Sequence, residues 1–526
     1  MRLPSVGALA RDPDRMYRLL AGLFFLVLVL VYYLPSLNLL PRGIHEWAQA
    51  DRLALAISFY DHGLHFFRPQ TLNIDSIDGV VGVEFPIMAY LAALGAKLLG
   101  RGAVVPLYRS LTIATAWLAY YHLFKLVFDR TRQFAAALVP GVFLAASPVF
   151  AYYAGTFLPD PASTAFVLVA IYYLLRYQAA RRFPDLVLAL AILTLATLTK
   201  LSASIYLGAA MGLTLLWGYL QPAALTLRQR WLVLLQIGLS LGLIAGYTFY
   251  TRYLNAAYHS WIFLADLKPI TSKEQYNNLL ARIKEVWLGE YWSPLQYRLL
   301  LASALVCVLS LGRVVRGEWL WASLIALGGL GGALFFWAMG PQFEIHDYYV
   351  LAPYWPALTL LVALGTTLLA QRLARVPRWL MQGLFGAVLL GLLVPGLQHY
   401  RARTSEPYSP FSEYYTYHWM QGGAAALAAA QVPANATVLV LGATAPNLGL
   451  VYFDRRGLTW DPDLKQVPKG AILQKMSDAG LDYLIVRQPL VQELRQLHPD
   501  LLSAFSPLIA NSQYVVLKRL GAARHW

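Results

Sequence analysis

The chain has 526 residues, is 58% hydrophobic and only 13% charged, and its mean hydropathy is +0.51. Soluble domains run about 45–50% apolar and about 25% charged. The composition therefore excludes a soluble enzyme, a disordered chain and a disulfide-rich secreted module, and predicts a polytopic membrane protein. The formal net charge is +15, but Arg and Lys fall between apolar runs, as the positive-inside rule requires. That pattern argues against nucleic acid as a partner. The one cysteine, Cys307, excludes an intramolecular disulfide and a Cys-based metal site.

Apolar runs of about 20 residues, enough to span a bilayer, recur from residue 19 to residue 396. The first, Leu19–Leu37, follows Arg2, Arg11, Arg15 and Arg18. It is long for a signal peptide and no small-x-small cleavage site follows, so it reads as a retained span with a cytoplasmic N-terminus. After a polar stretch to Val83, further spans are predicted at about 105–128, 134–152, 161–177, 184–199, 202–220, 231–251, 297–312, 319–339, 350–370 and 379–396. Segment 85–99 is too short to span and reads as an interfacial helix.

Charge tests this count. With 85–99 on the surface, the inside loops hold Arg130 and Arg132; Arg176, Arg181 and Arg182; Arg228 and Arg230; Arg313 and Arg316; and Arg372, Arg375 and Arg378. All these loops are short and basic. The expectation is eleven spans in a bacterial cytoplasmic (inner) membrane and an external C-terminus. Residues 1–399 form the membrane module, 38–104 its external loop, and 400–526 a soluble α/β domain. The last has short β-rich runs at Val438–Gly442, Tyr483–Val486 and Tyr514–Leu517, and a helix-like stretch Trp419–Ala430.

The predicted outer face carries the chemistry. Gly43–Ala56 reads as an amphipathic helix whose first turns bear His45, Glu46, Asp51 and Arg52; its plain structural reading is a solvated polar face. Glu84 precedes Phe85-Pro86, and Asp160 lies between Pro159 and Pro161. Taken singly, each reads equally as a helix cap or as a functional acid. Arg109, Lys200 and His346, with Tyr349, lie on the same face, which the positive-inside rule should deplete of cations. Lys200 after an apolar helix is costly unless it meets an anion, lipid phosphate included.

These residues resemble the polyprenyl-phosphate-sugar glycosyltransferases of the GT-C fold, above all bacterial relatives of protein O-mannosyltransferases and the lipid A aminoarabinose transferase. The resemblance rests on His45-Glu46-Trp47-Ala48-Gln49-Ala50-Asp51, Glu84-Phe85-Pro86, Phe157-Leu158-Pro159-Asp160-Pro161, Leu198-Thr199-Lys200 and His346-Asp347-Tyr348-Tyr349, in that order over about 15–400. Many such transferases have adjacent acids early in the first loop; here Glu46 and Asp51 are separated. The resemblance implies an inverting enzyme that moves a hexosyl or pentosyl group from a lipid phosphate to an acceptor hydroxyl. Asp51 is the first candidate for the base and Glu46 the second. Arg52, Arg109, Lys200, His346 and Tyr349 are candidates for the donor phosphate. Glu84 and Asp160 would orient the acceptor or share a divalent cation (Mg, Mn or Ca), with Asp51 and Asp160 as ligands. The acceptor could be a lipid, a glycan or a protein. Two rivals are a flippase or secondary transporter, which should carry charge at mid-membrane, and a scaffold, which leaves the acids unexplained.

Overall fold

A computed structural model describes residues 12–221, 225–264, 266–408 and 415–520; Arg2 and Arg11 lie outside them. Every predicted span coincides with helix. Among the described residues, seven helices are long and apolar enough to cross a membrane, and two bent helix pairs bring the number to nine. The other two predicted spans fall on Asp160–Ala180 and the shorter apolar helix Phe183–Thr199. Ile87–Leu99, of 13 residues, reaches about 20 Å, short of the hydrocarbon core.

The chain divides into two compact units: residues 1–37, 110–247 and 265–405, and residues 38–109, 248–264 and 406–526. The first predicted external loop thus clusters with the C-terminal segment.

The first unit is helical. Its opening helix, Pro13–Tyr33, buries Ala21, Phe25, Val29, Tyr32 and Tyr33, one stripe at helical spacing. Leu23, Val27, Leu30 and Val31 face outward, as lipid contact demands. Predicted span 134–152 is broken: Phe134–Ala145 and Pro148–Ala154 meet at 76°. Ser147 caps the second piece and Pro148 opens it; a proline lacks the N–H that would continue the first. At the centre, Leu351–Arg372 contains Pro356. The hydroxyl of Tyr206 bridges the loosened turn, donating to the Pro353 carbonyl (2.8 Å) and accepting from the Ala357 N–H (3.0 Å). In an apolar surround such freed backbone groups need a substitute partner. Gly365 lets this helix approach Ser303 closely; a Cβ there would lie 2.5 Å from the Ser303 Cβ.

The second unit carries a five-stranded sheet of order β2-β1-β3-β5-β4. The strands are β1 (Thr437–Leu441), β2 (Arg456–Trp460), β3 (Tyr483–Arg487), β4 (Phe505–Ala510) and β5 (Tyr514–Arg519). β1 pairs in parallel with β2 and β3, and β5 is antiparallel to β3 and β4. Leu439, Leu441, Leu484 and Val486 lie in its core. β1, β3 and β5 are the predicted β runs. The predicted helix 419–430 is the shorter Gly423–Ala429, after a 3₁₀ turn at His418–Met420. The first loop extends the sheet at its β2 edge: Ile74 N–H donates to the Gly457 carbonyl (3.0 Å) and Gly457 N–H to that of Leu72 (3.1 Å). Gly457 is required there, because a Cβ would lie 1.8 Å from the Val438 oxygen.

Candidate active site

In the second unit, His45 takes the left-handed conformation (φ 54°) and the helix Glu46–Asp61 starts after it. Such a φ is uncommon outside glycine. The helix packs against Ile87–Leu99 and Leu448–Phe453. Its polar side is covered rather than solvated: Glu46, Gln49 and Asp51 are all buried.

Asp51 is 2% exposed. Its carboxylate accepts from Asn447 Nδ2 at 2.9 Å. Asn447 precedes the Leu448–Phe453 helix, and its Oδ1 accepts from Asn73 N–H at 3.0 Å, so one amide ties the acid to the first loop. Burial pushes the Asp51 carboxyl up to about 6, against the lowering effects of Asn447 and Arg52. Glu46 accepts from both the N–H and the hydroxyl of Thr416, each at 3.0 Å. Burial still wins and raises it to about 7. A helix N-terminus favours an anion by only about 1 kcal/mol, less than the desolvation of a buried carboxylate.

Glu84 does not cap a helix. The following helix begins at Ile87 with Pro86 as its cap, and Glu84 pairs with Arg52 Nη2 at 2.9 and 3.2 Å. The Arg52 guanidinium also lies 4.6 Å from the Phe263 ring centroid. Arg109, expected to meet phosphate, donates from Nε to the Leu39 carbonyl (3.0 Å) and from Nη2 to that of Leu40 (3.3 Å). Those two donors hold the loop entrance. A further polar group in this unit joins Arg42, Glu406, Tyr417 and His418, with Arg42 Nε 2.9 Å from Glu406.

The first unit holds Asp160, Lys200, His346 and Tyr349. Helices Asp160–Ala180 and Phe183–Thr199 form a tight antiparallel hairpin, which brings the start of one beside the end of the other. Ser163 Oγ donates to the Ala196 carbonyl across it (2.9 Å). Lys200, the residue after the second helix, therefore reaches Asp160: Nζ to Oδ1 is 3.2 Å. Asp160 is not the helix cap; Pro159 is. The Lys200 ammonium stands 5.2 Å from the Tyr349 ring and 5.9 Å from Tyr348. His346 lies 5.1 Å from Tyr349, ring to ring. Asp347 accepts from Tyr153 OH at 2.6 Å and pairs with Arg403, which also holds Glu290.

Asp51 and Asp160, expected as metal ligands, thus belong to different units, one bonded to an amide and one to an ammonium. Among the described residues no group of three or more His, Cys, Asp or Glu is placed to hold a metal ion. Sequence reasoning missed Asn447, Thr416, Glu290 and Arg403. The first two lie some 370–400 residues from their partners with no local signal. Arg403, a cation at the end of an apolar helix, was the one detectable.

A family model for dolichyl-phosphate-mannose-protein mannosyltransferases matches residues 84–250, which include Glu84, Arg109, Asp160 and Lys200. Comparison with curated proteins finds no match. Among solved structures, ArnT from Cupriavidus metallidurans bound to undecaprenyl phosphate is 13% identical with a TM-score of 0.61, covering 96% of this chain and 99% of that one. The fold is the GT-C glycosyltransferase fold. The arabinofuranosyltransferase AftD from Mycobacteria also shares it, at 16% identity and TM-score 0.52, covering 96% of this chain and 40% of that one. The oligosaccharyltransferase of Archaeoglobus fulgidus has 12% identity and TM-score 0.53, covering 91% and 69%. In this GT-C chain the acids divide cleanly: Asp51 and Glu46 meet neutral donors, whereas Asp160, Glu84 and Asp347 each meet a cation.

Proposed function

We propose that the protein is an inverting glycosyltransferase of the bacterial cytoplasmic membrane. It transfers a hexosyl or pentosyl group from a polyprenyl-phosphate donor to an acceptor hydroxyl at the outer face. The observation that carries this reading is Asp51: a buried carboxylate with raised proton affinity, held by one neutral amide, on the first loop of a GT-C fold.

An alcohol is a weak nucleophile at neutral pH, and a base within hydrogen-bond reach contributes about 10²–10⁴-fold. Asp51 takes the acceptor proton as the acceptor oxygen bonds to the anomeric carbon. The bond from that carbon to the phosphate oxygen breaks on the opposite face, which inverts the anomer, and polyprenyl phosphate leaves. A carboxyl at about 6 is mostly ionised at neutral pH and is more basic than an exposed Asp. Lys200 is assigned to the growing phosphate charge, with His346 and Tyr349 beside it. Arg52 and Glu84 orient the Asp51 helix. The polar residues also speak against a flippase or transporter, since they gather at helix ends and in the loop unit. The acceptor is a lipid, glycan or protein hydroxyl.

The test is release of free polyprenyl phosphate from a panel of polyprenyl-phosphate sugars by purified protein, with an envelope extract as acceptor source. Release that disappears in Asp51→Asn supports the reading. An unchanged rate in Asp51→Asn removes Asp51 as base, and no release from any donor, with intact lipid still bound or moved, favours a flippase. A chelator arm reports whether a divalent cation takes part: lost turnover assigns one, and unchanged turnover excludes it.

A further inference from the structure

The helix that begins at Asp160 ends, 21 residues and about 30 Å later, at a cavity of about 480 Å³. That volume is typical of small-ligand sites, about 300–1,000 Å³. Its wall contains four arginines, Arg130, Arg176, Arg181 and Arg316, and two acids, Asp129 and Glu318. Four of these six charges are committed. Arg130 pairs with Glu318 (3.3 Å), Arg176 pairs with Asp185, and Asp129 pairs with Arg18 (2.9 Å). Arg181 and Arg316 form no ion pair among the described residues.

Both are nonetheless positioned. The Arg181 guanidinium stacks 4.1 Å from the Trp217 ring centroid, and Trp217 packs edge-on to Trp319 at 6.0 Å. Arg316 Nε donates to the Gly312 carbonyl (2.9 Å), which leaves its terminal nitrogens for another acceptor. Arg181 also shares a hydrogen bond with Tyr177, and a guanidinium, with five N–H donors, can still meet a phosphate oxygen beside such contacts. The sequence neighbours of these groups are apolar and outward-facing: Leu215, Leu216 and Leu220 beside Trp217, and Leu311 and Val315 beside Arg316. A soluble phosphate would leave them bare, whereas acyl chains would cover them.

We propose that this cavity binds the phosphodiester headgroup of an anionic phospholipid, in the leaflet opposite Asp160 and Lys200. Arg181 and Arg316 contact the phosphate, and the Trp217–Trp319 pair forms the platform. This differs from the diffuse attraction of basic loops to headgroups, because it predicts saturable binding that depends on two particular arginines.

The test uses delipidated full-length protein in detergent, with phosphatidylglycerol and phosphatidylcholine added back in equal amounts and bound lipid counted by native mass spectrometry. Phosphatidylglycerol should be preferred. Arg181→Gln with Arg316→Gln should weaken it roughly tenfold or more, consistent with two lost arginine contacts. Arg375→Gln with Arg378→Gln, exposed at the same end but outside the cavity, should leave it intact. If the first pair fails to fold, Arg181→Gln alone should show a loss of a few-fold. Equal binding of the two lipids, equal loss in both arginine pairs, or displacement of the lipid by millimolar glycerol phosphate would overturn the proposal; the last would assign a soluble phosphate instead.

Discussion

Asp51 and Asp160 are both almost fully buried, 2% and 1% exposed, yet their surroundings differ in kind. Asp160 faces the Lys200 ammonium at 3.2 Å. Asp51 faces the side-chain amide of Asn447 at 2.9 Å. An amide holds a carboxylate in place without a full charge of its own, so burial outweighs it and the nearby Arg52 and raises Asp51 to about 6; Glu46, held by Thr416, rises to about 7. Within the loop and C-terminal unit, Asp51 and Glu46 stay able to take a proton near neutral pH, while Glu84 and Glu406 pair with Arg52 and Arg42. The helical unit spends its acids on positioning cations.

The largest test of that contrast is Asp51→Asn. It keeps the shape of the side chain and should lower turnover at least about 10²-fold, with the melting temperature unchanged or raised. A rate within a few-fold of the parent would mean the loop acids are structural. Lys200→Met comes next. It leaves Asp160 buried without its cation, which costs about 3–5 kcal/mol and should show as a lower melting temperature. Adding Asp160→Asn should restore stability but not donor affinity, read as KM. Restored KM in the double variant would show that Lys200 serves only Asp160.

Asn447→Ala removes the bond that lowers the Asp51 carboxyl and leaves Asn73 N–H without its acceptor, a loss of about 1–3 kcal/mol. The acidic limb of the rate profile, expected near pH 6 in the parent, should move to higher pH. An unmoved limb would detach Asp51 from that ionisation. The smallest expected effect is on stability against pH in Glu46→Gln. In the parent, Glu46 titrates at about 7 folded against 4.5 unfolded, so the folded state holds the extra proton between those values. Its contribution is full below about pH 4.5 and is lost as pH rises through about 7. Glu46→Gln should flatten that fall, measured by melting across pH 4 to 8.

Much of the architecture was legible. The spans follow from apolar runs, because lipid leaves the backbone no partner but its own helix. β1, β3 and β5 were visible as short apolar runs. β2 was hidden by Arg456 and Gly457 and β4 by Pro507, residues that edge strands tolerate and propensity penalises. Glu84 and Asp160, which the sequence left open as caps or as functional acids, form ion pairs with Arg52 and Lys200. Proline patterns mark where a helix starts, but they do not say which way an acid turns.

The sequence alone determined the apolar runs that become helices, three of the five strands, and the short list of acids and cations that could do chemistry. Hydrophobicity and charge act locally and add along the chain, so they can be read in order. Only the tertiary structure decided which acid meets an amide and which meets a cation. Asp51 and Asn447 are 396 positions apart, and Asp160 meets Lys200 because two apolar helices turn back on each other. A carboxylate's proton affinity depends on what lies within about 4–6 Å in space, and chain order does not record that distance.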